Sequence, residues 1–425
     1  MIRLLDKTRI PFFDYFYLLS VIIYAGMASA FVRDFGDIRT IGNAVILILT
    51  ILFAIHKRVT IKRDFVFVIA VFIIWSVFTI VYNGSTKYLL WEWMRWSIFL
   101  YVAYVICKGY GYRFFVIAET VLFHLAVIGI FCWIILLIIP VPFTNFLSLF
   151  SLPSFNDVDQ FTSENVLFYT IIKSNVFGGG ARSEYYFLIR NCGFAWEPGA
   201  FACFMCFAVA LNSLRTNVRL KNNLPLIVFL IALASTQSTT GYVTLGVMIA
   251  VWLIIYGRIG WVIALVPLIL MMFNLPFISD KLVDSMEGFQ DISLDNAAGS
   301  QGYDRTLSFM LLLDEFTRHP IFGYGFSEAR FMQYEITTFS GLGHLLAQFG
   351  IIVFLLFGFL LIKASLLLNR HFGNKTGWMI MVAVIGMMIS YMVWTQPFFI
   401  AIWLSSVFMK QSSERKLLVN YKRIE

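Results

Sequence analysis

Arg190-Asn191-Cys192-Gly193-Phe194-Ala195-Trp196-Glu197-Pro198-Gly199 is the stretch on which the reading of this chain turns. It joins a polar segment to the apolar run 200–211. Proline suits the first helical position, because its missing N–H is one of the donors that a helix start leaves unpaired anyway. Pro198 therefore marks a first turn, and Glu197 stands where an acidic cap stands, against the partial positive charge of the helix N-terminus. An Arg and a Glu at the mouth of an apolar span are costly to place there, so both read as functional candidates. The stretch sets two charges at a helix end, at the surface of an apolar layer.

Composition extends that reading to the whole chain. Hydrophobic residues make up 60% of the 425 positions, charged residues 13%, and there are 45 Phe; a soluble domain carries about 25% charged residues. Apolar runs long enough to cross about 30 Å of hydrocarbon recur from end to end. The expected fold is an all-α polytopic membrane protein, one integral membrane domain over 1–425. About twelve helical spans are expected, at 12–30, 41–56, 65–82, 93–107, 114–139, 199–213, 224–238, 241–256, 260–277, 344–369, 377–394 and 396–410. The last two are short and share the turn Thr395-Gln396-Pro397, so a re-entrant pair is the alternative there. Ala28-Ser29-Ala30 resembles a signal-cleavage site, but the apolar run before it is longer than a signal core, and the segment reads as a retained span. Cys107, Cys132, Cys192, Cys203 and Cys206 read as small buried apolar residues rather than a disulfide framework.

The formal charge of +8 does not mark a nucleic-acid binder, because the basic residues cluster in short loops between spans. With the N-terminus on the cytoplasmic side, 21 of the 32 Lys and Arg fall on one face, in short loops and tails. Both termini are then cytoplasmic, and two long loops, about 140–198 and 278–343, face outward together. Loops of that length are functional or disordered rather than mere connectors. Trp91, Trp93 and Trp96 are expected at the outer interface as part of an aromatic belt.

The candidates for chemistry follow from this topology. Arg190 and Glu197 flank the outward N-terminus of span six. Asp304-Arg305 opens an apolar segment, 306–316, expected to be an interfacial helix, followed by His319-Pro320 and Gly323-Tyr324-Gly325. Span ten begins at His344 and also runs inward. Each residue alone reads as readily as a cap, a salt bridge or a solvated loop residue. Together, two helix N-termini, two Arg and a His on one face suit a diphosphate: helix N-termini bind anions, and guanidinium groups offer bidentate donors to phosphate oxygens. Glu197 and His344 are the expected proton-transfer groups, and Arg190 and Arg305 the substrate-binding ones. Asp157-Val158-Asp159 is a DxD, read here as a solvated loop. Glu119 and His124, within span five, read as one internal hydrogen-bonded pair or as an ion pathway.

Arg190-x-x-Gly193-x-x-x-Glu197-Pro198 resembles the bacterial O-antigen polymerase (Wzy-like) family. Arg305, His319-Pro320, Gly323-x-Gly325, His344-x-Leu346 and Phe349-Gly350-Ile351 resemble a block shared by O-antigen polymerases and O-antigen ligases. The resemblance implies a glycosyltransferase that joins polyprenyl-diphosphate-linked oligosaccharide repeat units of a surface polysaccharide (O-antigen or capsule) at the outer face of the bacterial inner membrane. It implies inversion at the anomeric carbon and the use of no metal, cofactor or nucleotide sugar. The implied partners are the lipid-linked oligosaccharide, membrane lipid and a chain-length regulator protein. Ligases of this group carry Asn or Gln before the Pro of the first motif, so Glu197 points toward a polymerase. Leu345 departs from the Asn that follows the His in many relatives. The alternatives are a ligase that transfers glycan to lipid A core, and a lipid-glycan flippase or other transporter.

Overall fold

The computed structural model describes residues 10–27, 36–84, 89–149, 163–165, 170–172, 189–216, 218, 221–262, 305–327, 329, 338 and 340–409. Its helices are α1 (Phe12–Met27), α2 (Gly36–His56), α3 (Arg63–Asn83), α4 (Leu89–Tyr110), α5 (Arg113–Ile138) and α6 (Pro140–Ser148). They continue as α7 (Pro198–Thr216), α8 (Leu224–Ser235), α9 (Thr239–Ile255), α10 (Arg305–Arg318), α11 (Gly341–Phe372) and α12 (Gly377–Ser390). Two short helices close the described chain, α13 (Pro397–Trp403) and α14 (Ser405–Phe408). Between α6 and α7 the described residues include a two-stranded antiparallel hairpin, β1 (Ser163–Asn165) against β2 (Thr170–Ile172), with Glu164 opposite Ile171.

Among the described residues, α3, α5, α7 and α11 are long and apolar enough to cross a membrane, and α1, α2, α8, α9 and α12 contribute shorter apolar helices. The chain is a helical, multi-pass membrane protein. Span 260–277, Asp157-Val158-Asp159 and Ala28-Ser29-Ala30 lie wholly or largely outside the described residues.

Polar clasps show that the helices alternate in direction. At one end of the bundle Lys57, closing α2, pairs with Asp14 of α1 at 2.7 Å. There Lys108, closing α4, pairs with Asp64 of α3. Just past α4, Tyr112 stacks on His371 at the end of α11, with ring centroids 3.6 Å apart. Close by, Arg215 at the end of α7 holds Glu119 of α5 at 2.9 Å, and Asn212 donates to the same carboxylate at 2.7 Å. Thr376, ahead of α12, donates to the Ser213 carbonyl at 2.9 Å. The starts of α7, α9 and α11 and the end of α12 therefore share the opposite end, which holds the candidate site.

Two elements depart from the sequence expectation. The segment 396–410 is not a lipid-facing span: α13 lies inside the bundle, with Phe398 to Ile402 fully buried, and a bend at Leu404 separates it from α14. Nor is α10 an interfacial helix lying flat. Leu312 packs on Gly343 of α11, and the Pro320 carbonyl accepts from the Ile351 N–H at 2.9 Å. Each contact lies eight residues further along both chains than the last, so α10 runs parallel to the first half of α11.

That pairing matters because α11 is broken at Gly350, which takes φ 74° and ψ 178°. A break inside an apolar layer leaves backbone groups that must find partners within the protein. The turn after α10 supplies them: Tyr324 N–H donates to the Ala347 carbonyl at 2.8 Å and Gly325 N–H to the Gln348 carbonyl at 2.9 Å, while Pro320 takes the Ile351 N–H. Asn83 of α3 fastens the turn from outside, donating to the Gly323 carbonyl at 2.9 Å.

Candidate functional site

The loop 189–197 is fixed mainly by its own backbone. Asn191 N–H donates to the Ser235 carbonyl at 3.0 Å and its side-chain amide to Ser235 Oγ at 2.9 Å. Its Oδ1 accepts from Gly193 N–H at 2.9 Å, and Trp196 N–H reaches the Gly26 carbonyl of α1 at 3.2 Å. Gly193 sits at φ 51° with the Phe201 ring against it, so any side chain there would be both strained and in collision. The motif's Asn and Gly thus build the loop, and its Arg and Glu are what the loop carries.

Arg190 is half-buried and donates from Nε to the carbonyl of Thr236, the C-cap of α8, at 2.9 Å. That is the favourable end of a helix dipole for a cation. Glu197 gives its carbonyl to Phe201 N–H at 3.1 Å, as the residue ahead of the first turn of α7. Arg190 and Glu197 both bear electrostatically on Cys192 between them; burial pushes that thiol's pKa up, with Arg190 opposing and Glu197 adding.

Tyr391, just after α12, links this loop to the second block. A Cβ added at Gly199, in the first turn of α7, would collide with the Tyr391 hydroxyl. One added at Gly341, the first residue of α11, would collide with the Tyr391 carbonyl. Thr240 of α9 bonds Ser390 through their hydroxyls at 2.8 Å. Three helix N-termini, those of α7, α9 and α11, meet around this residue. Ser238 and Ser340 cap two of them, accepting from Gly241 N–H at 3.3 Å and Gly343 N–H at 3.2 Å.

His344 is not the first residue of its helix. It lies in the first turn of α11, 6% exposed, with Nε2 2.7 Å from Thr338 Oγ1 and 3.3 Å from the Thr338 carbonyl. Arg305 opens α10. The parallel pairing of α10 with α11 puts its backbone about 7.5 Å beyond the start of α11, at this same end. Its side chain lies outside the described residues.

Two expectations are corrected. Glu119 and His124 do not pair: Glu119, 1% exposed, is held by Arg215 and Asn212 at the opposite end, and His124 Nδ1 meets Tyr15 at 2.8 Å on an exposed face of the bundle. Trp96 is no belt residue. It is buried against Phe349 and Trp394 at centroid distances of 5.4 and 5.6 Å.

Sequence reasoning missed Glu92 and Arg95. They form a largely buried ion pair at 2.5 Å on α4, and Arg95 lies within electrostatic reach of His344. The signal was present, since two opposite charges three residues apart sit inside an otherwise apolar helix. A span that begins at residue 93 puts Glu92 in a loop.

A family model described as O-antigen ligase matches residues 224–358, about a third of the chain. The match runs from α8 to just past the break in α11, and so contains Arg305, His319, Tyr324 and His344. It supports the O-antigen polymerase/ligase superfamily and does not separate polymerase from ligase. No curated protein and no solved structure matches the chain.

Proposed function

We propose that this chain is a surface-polysaccharide polymerase, a glycosyltransferase joining polyprenyl-diphosphate-linked oligosaccharides at the outer face of a bacterial inner membrane. The observation that carries the reading is the convergence of three helix N-termini on Tyr391, with Arg190 and His344 on the same end. Such an end is electropositive by backbone and by side chain, which suits a diphosphate leaving group. Arg190 and Arg305 clamp the diphosphate. The acceptor hydroxyl oxygen bonds to the anomeric carbon as the bond from that carbon to the diphosphate oxygen breaks. The lipid diphosphate leaves with the electron pair, its charge met by the two guanidinium groups. The hydroxyl proton passes to Glu197 or to His344.

The test is polymer length in membranes. Arg190→Lys and Arg305→Lys keep the charge and lose the planar fork, so each is expected to cut polymer formation by about tenfold or more. Glu197→Gln is expected to do the same through loss of the base. Wild-type ladders from both Lys variants would remove the clamp.

The ligase reading has its own observation, the description of the matching family model. It predicts that cells lacking this chain still build long glycans on the lipid carrier and fail only to transfer them. The polymerase reading predicts single repeat units on the carrier. A carrier protein would place ionisable groups at mid-membrane, whereas Glu119 here closes an ion pair at the bundle end away from the site.

A further inference from the structure

Beside His344 lies a second polar group that the diphosphate reading does not use. Glu92 and Arg95 of α4 pair with side chains 12% and 14% exposed. Glu315 of α10, 4% exposed, faces His319 Nε2 at 3.7 Å. Tyr324 N–H donates to the Ala347 carbonyl of α11 at 2.8 Å, Leu312 of α10 packs on Gly343 next to His344, and Trp96, next to Arg95 on α4, packs on Phe349 at a centroid distance of 5.4 Å. Three parts of the fold, α4, α10 and the turn after α10, thus bring their charges to one place.

Two features say what this place is for. Taking paired charges out of water costs several kcal/mol per ion, and such pairs contribute little net stability; within a membrane protein they mark function. The group is also unfinished as a hydrogen-bond network. Ser308 Oγ, 1% exposed and on the same stripe of α10 as Leu312 and Glu315, has no partner among the described residues. Arg95 Nε, Trp93 Nε1 and His319 Nδ1 are likewise buried and unpartnered. Buried polar atoms in native proteins are almost always satisfied. With two carboxylates set against one guanidinium and one imidazole, the group has no cationic excess to draw an anion. It offers donors and acceptors mixed, and a neutral sugar is the ligand that both donates and accepts along its rim.

We infer that Glu92, Arg95, Ser308, Glu315 and Tyr324 form an acceptor-sugar subsite, which holds hydroxyls of the attacking glycan next to His344. This rests on the glycosyltransferase reading above and adds the place of the acceptor, apart from the diphosphate held at Arg190.

The experiment uses the full chain in nanodiscs with two probes: lipid-linked repeat units extracted from cells lacking the chain, and farnesyl diphosphate as a glycan-free diphosphate. Ser308→Ala removes a hydroxyl that is unpartnered among the described residues, and Glu315→Gln keeps shape; an unchanged melting temperature verifies folding for each. Both variants are expected to raise the KM for lipid-linked repeat units about three- to tenfold, the worth of one hydrogen bond, while farnesyl diphosphate affinity stays within about twofold. Arg190→Ala is expected to lose farnesyl diphosphate affinity. A wild-type KM in both subsite variants overturns the subsite, as does a parallel loss of farnesyl diphosphate affinity. Absence of any glycan transfer by the wild-type chain would instead overturn the glycosyltransferase reading, so the two failures are told apart.

Discussion

Gly350 and Gly358 lie two turns apart on α11 and carry opposite expectations. Gly350 needs φ 74°, and a Cβ there would strike the Ile321 carbonyl. Gly350→Ala should cost about 1–3 kcal/mol from backbone strain alone, and more because the turn that patches the break must shift. Gly358 sits in regular helix with nothing within 4 Å of an added Cβ, so Gly358→Ala should be neutral or stabilise by up to about 1 kcal/mol. Scanning fluorimetry in detergent checks both; equal melting temperatures would mean that α11 is not broken at Gly350. The sequence showed Phe349-Gly350-Ile351 as part of a motif without the reason for it. The reason is tertiary, a turn from a distant segment that bonds to the groups the break exposes, and no local pattern encodes that.

Among the elements, apolar length was the legible quantity. The helices expected at 199–213 and 114–139 appear as Pro198–Thr216 and Arg113–Ile138. What length could not show is which helix lies beside which. The apolar-rich run 306–316 read as an interfacial helix, but packing on Gly343 takes Glu315 inside. Glu119 and His124 read as partners because they share α5, yet each bonds to a different helix. The clasp between α5 and α7 gives a prediction that separates structure from function. Glu119→Gln breaks an ion pair whose carboxylate is 1% exposed while Arg215 stays 25% exposed, so the loss should be about 1–3 kcal/mol. The melting temperature should fall while polymer length is unchanged in whatever protein remains folded. Normal stability with lost activity would make Glu119 a functional group and favour a carrier.

At the scale of the whole molecule, the account depends on where segments far apart in sequence meet. The motif around Arg190 and the block from Arg305 to His344 are separated by more than a hundred residues, and charge patterning alone assigned them to one face. The contacts of Tyr391 with Gly199 and Gly341, and the parallel run of α10 beside α11, bring the two backbones to one end of the bundle. Which membrane face that end occupies is the central claim. Its most direct measurement is labelling of single cysteines at positions 190 and 305 by a membrane-impermeant maleimide. All five native cysteines are buried, so the unaltered chain supplies a quiet background. The account predicts that both positions label in intact spheroplasts without lysis. Labelling of either one only after the cytoplasmic face is opened would contradict it.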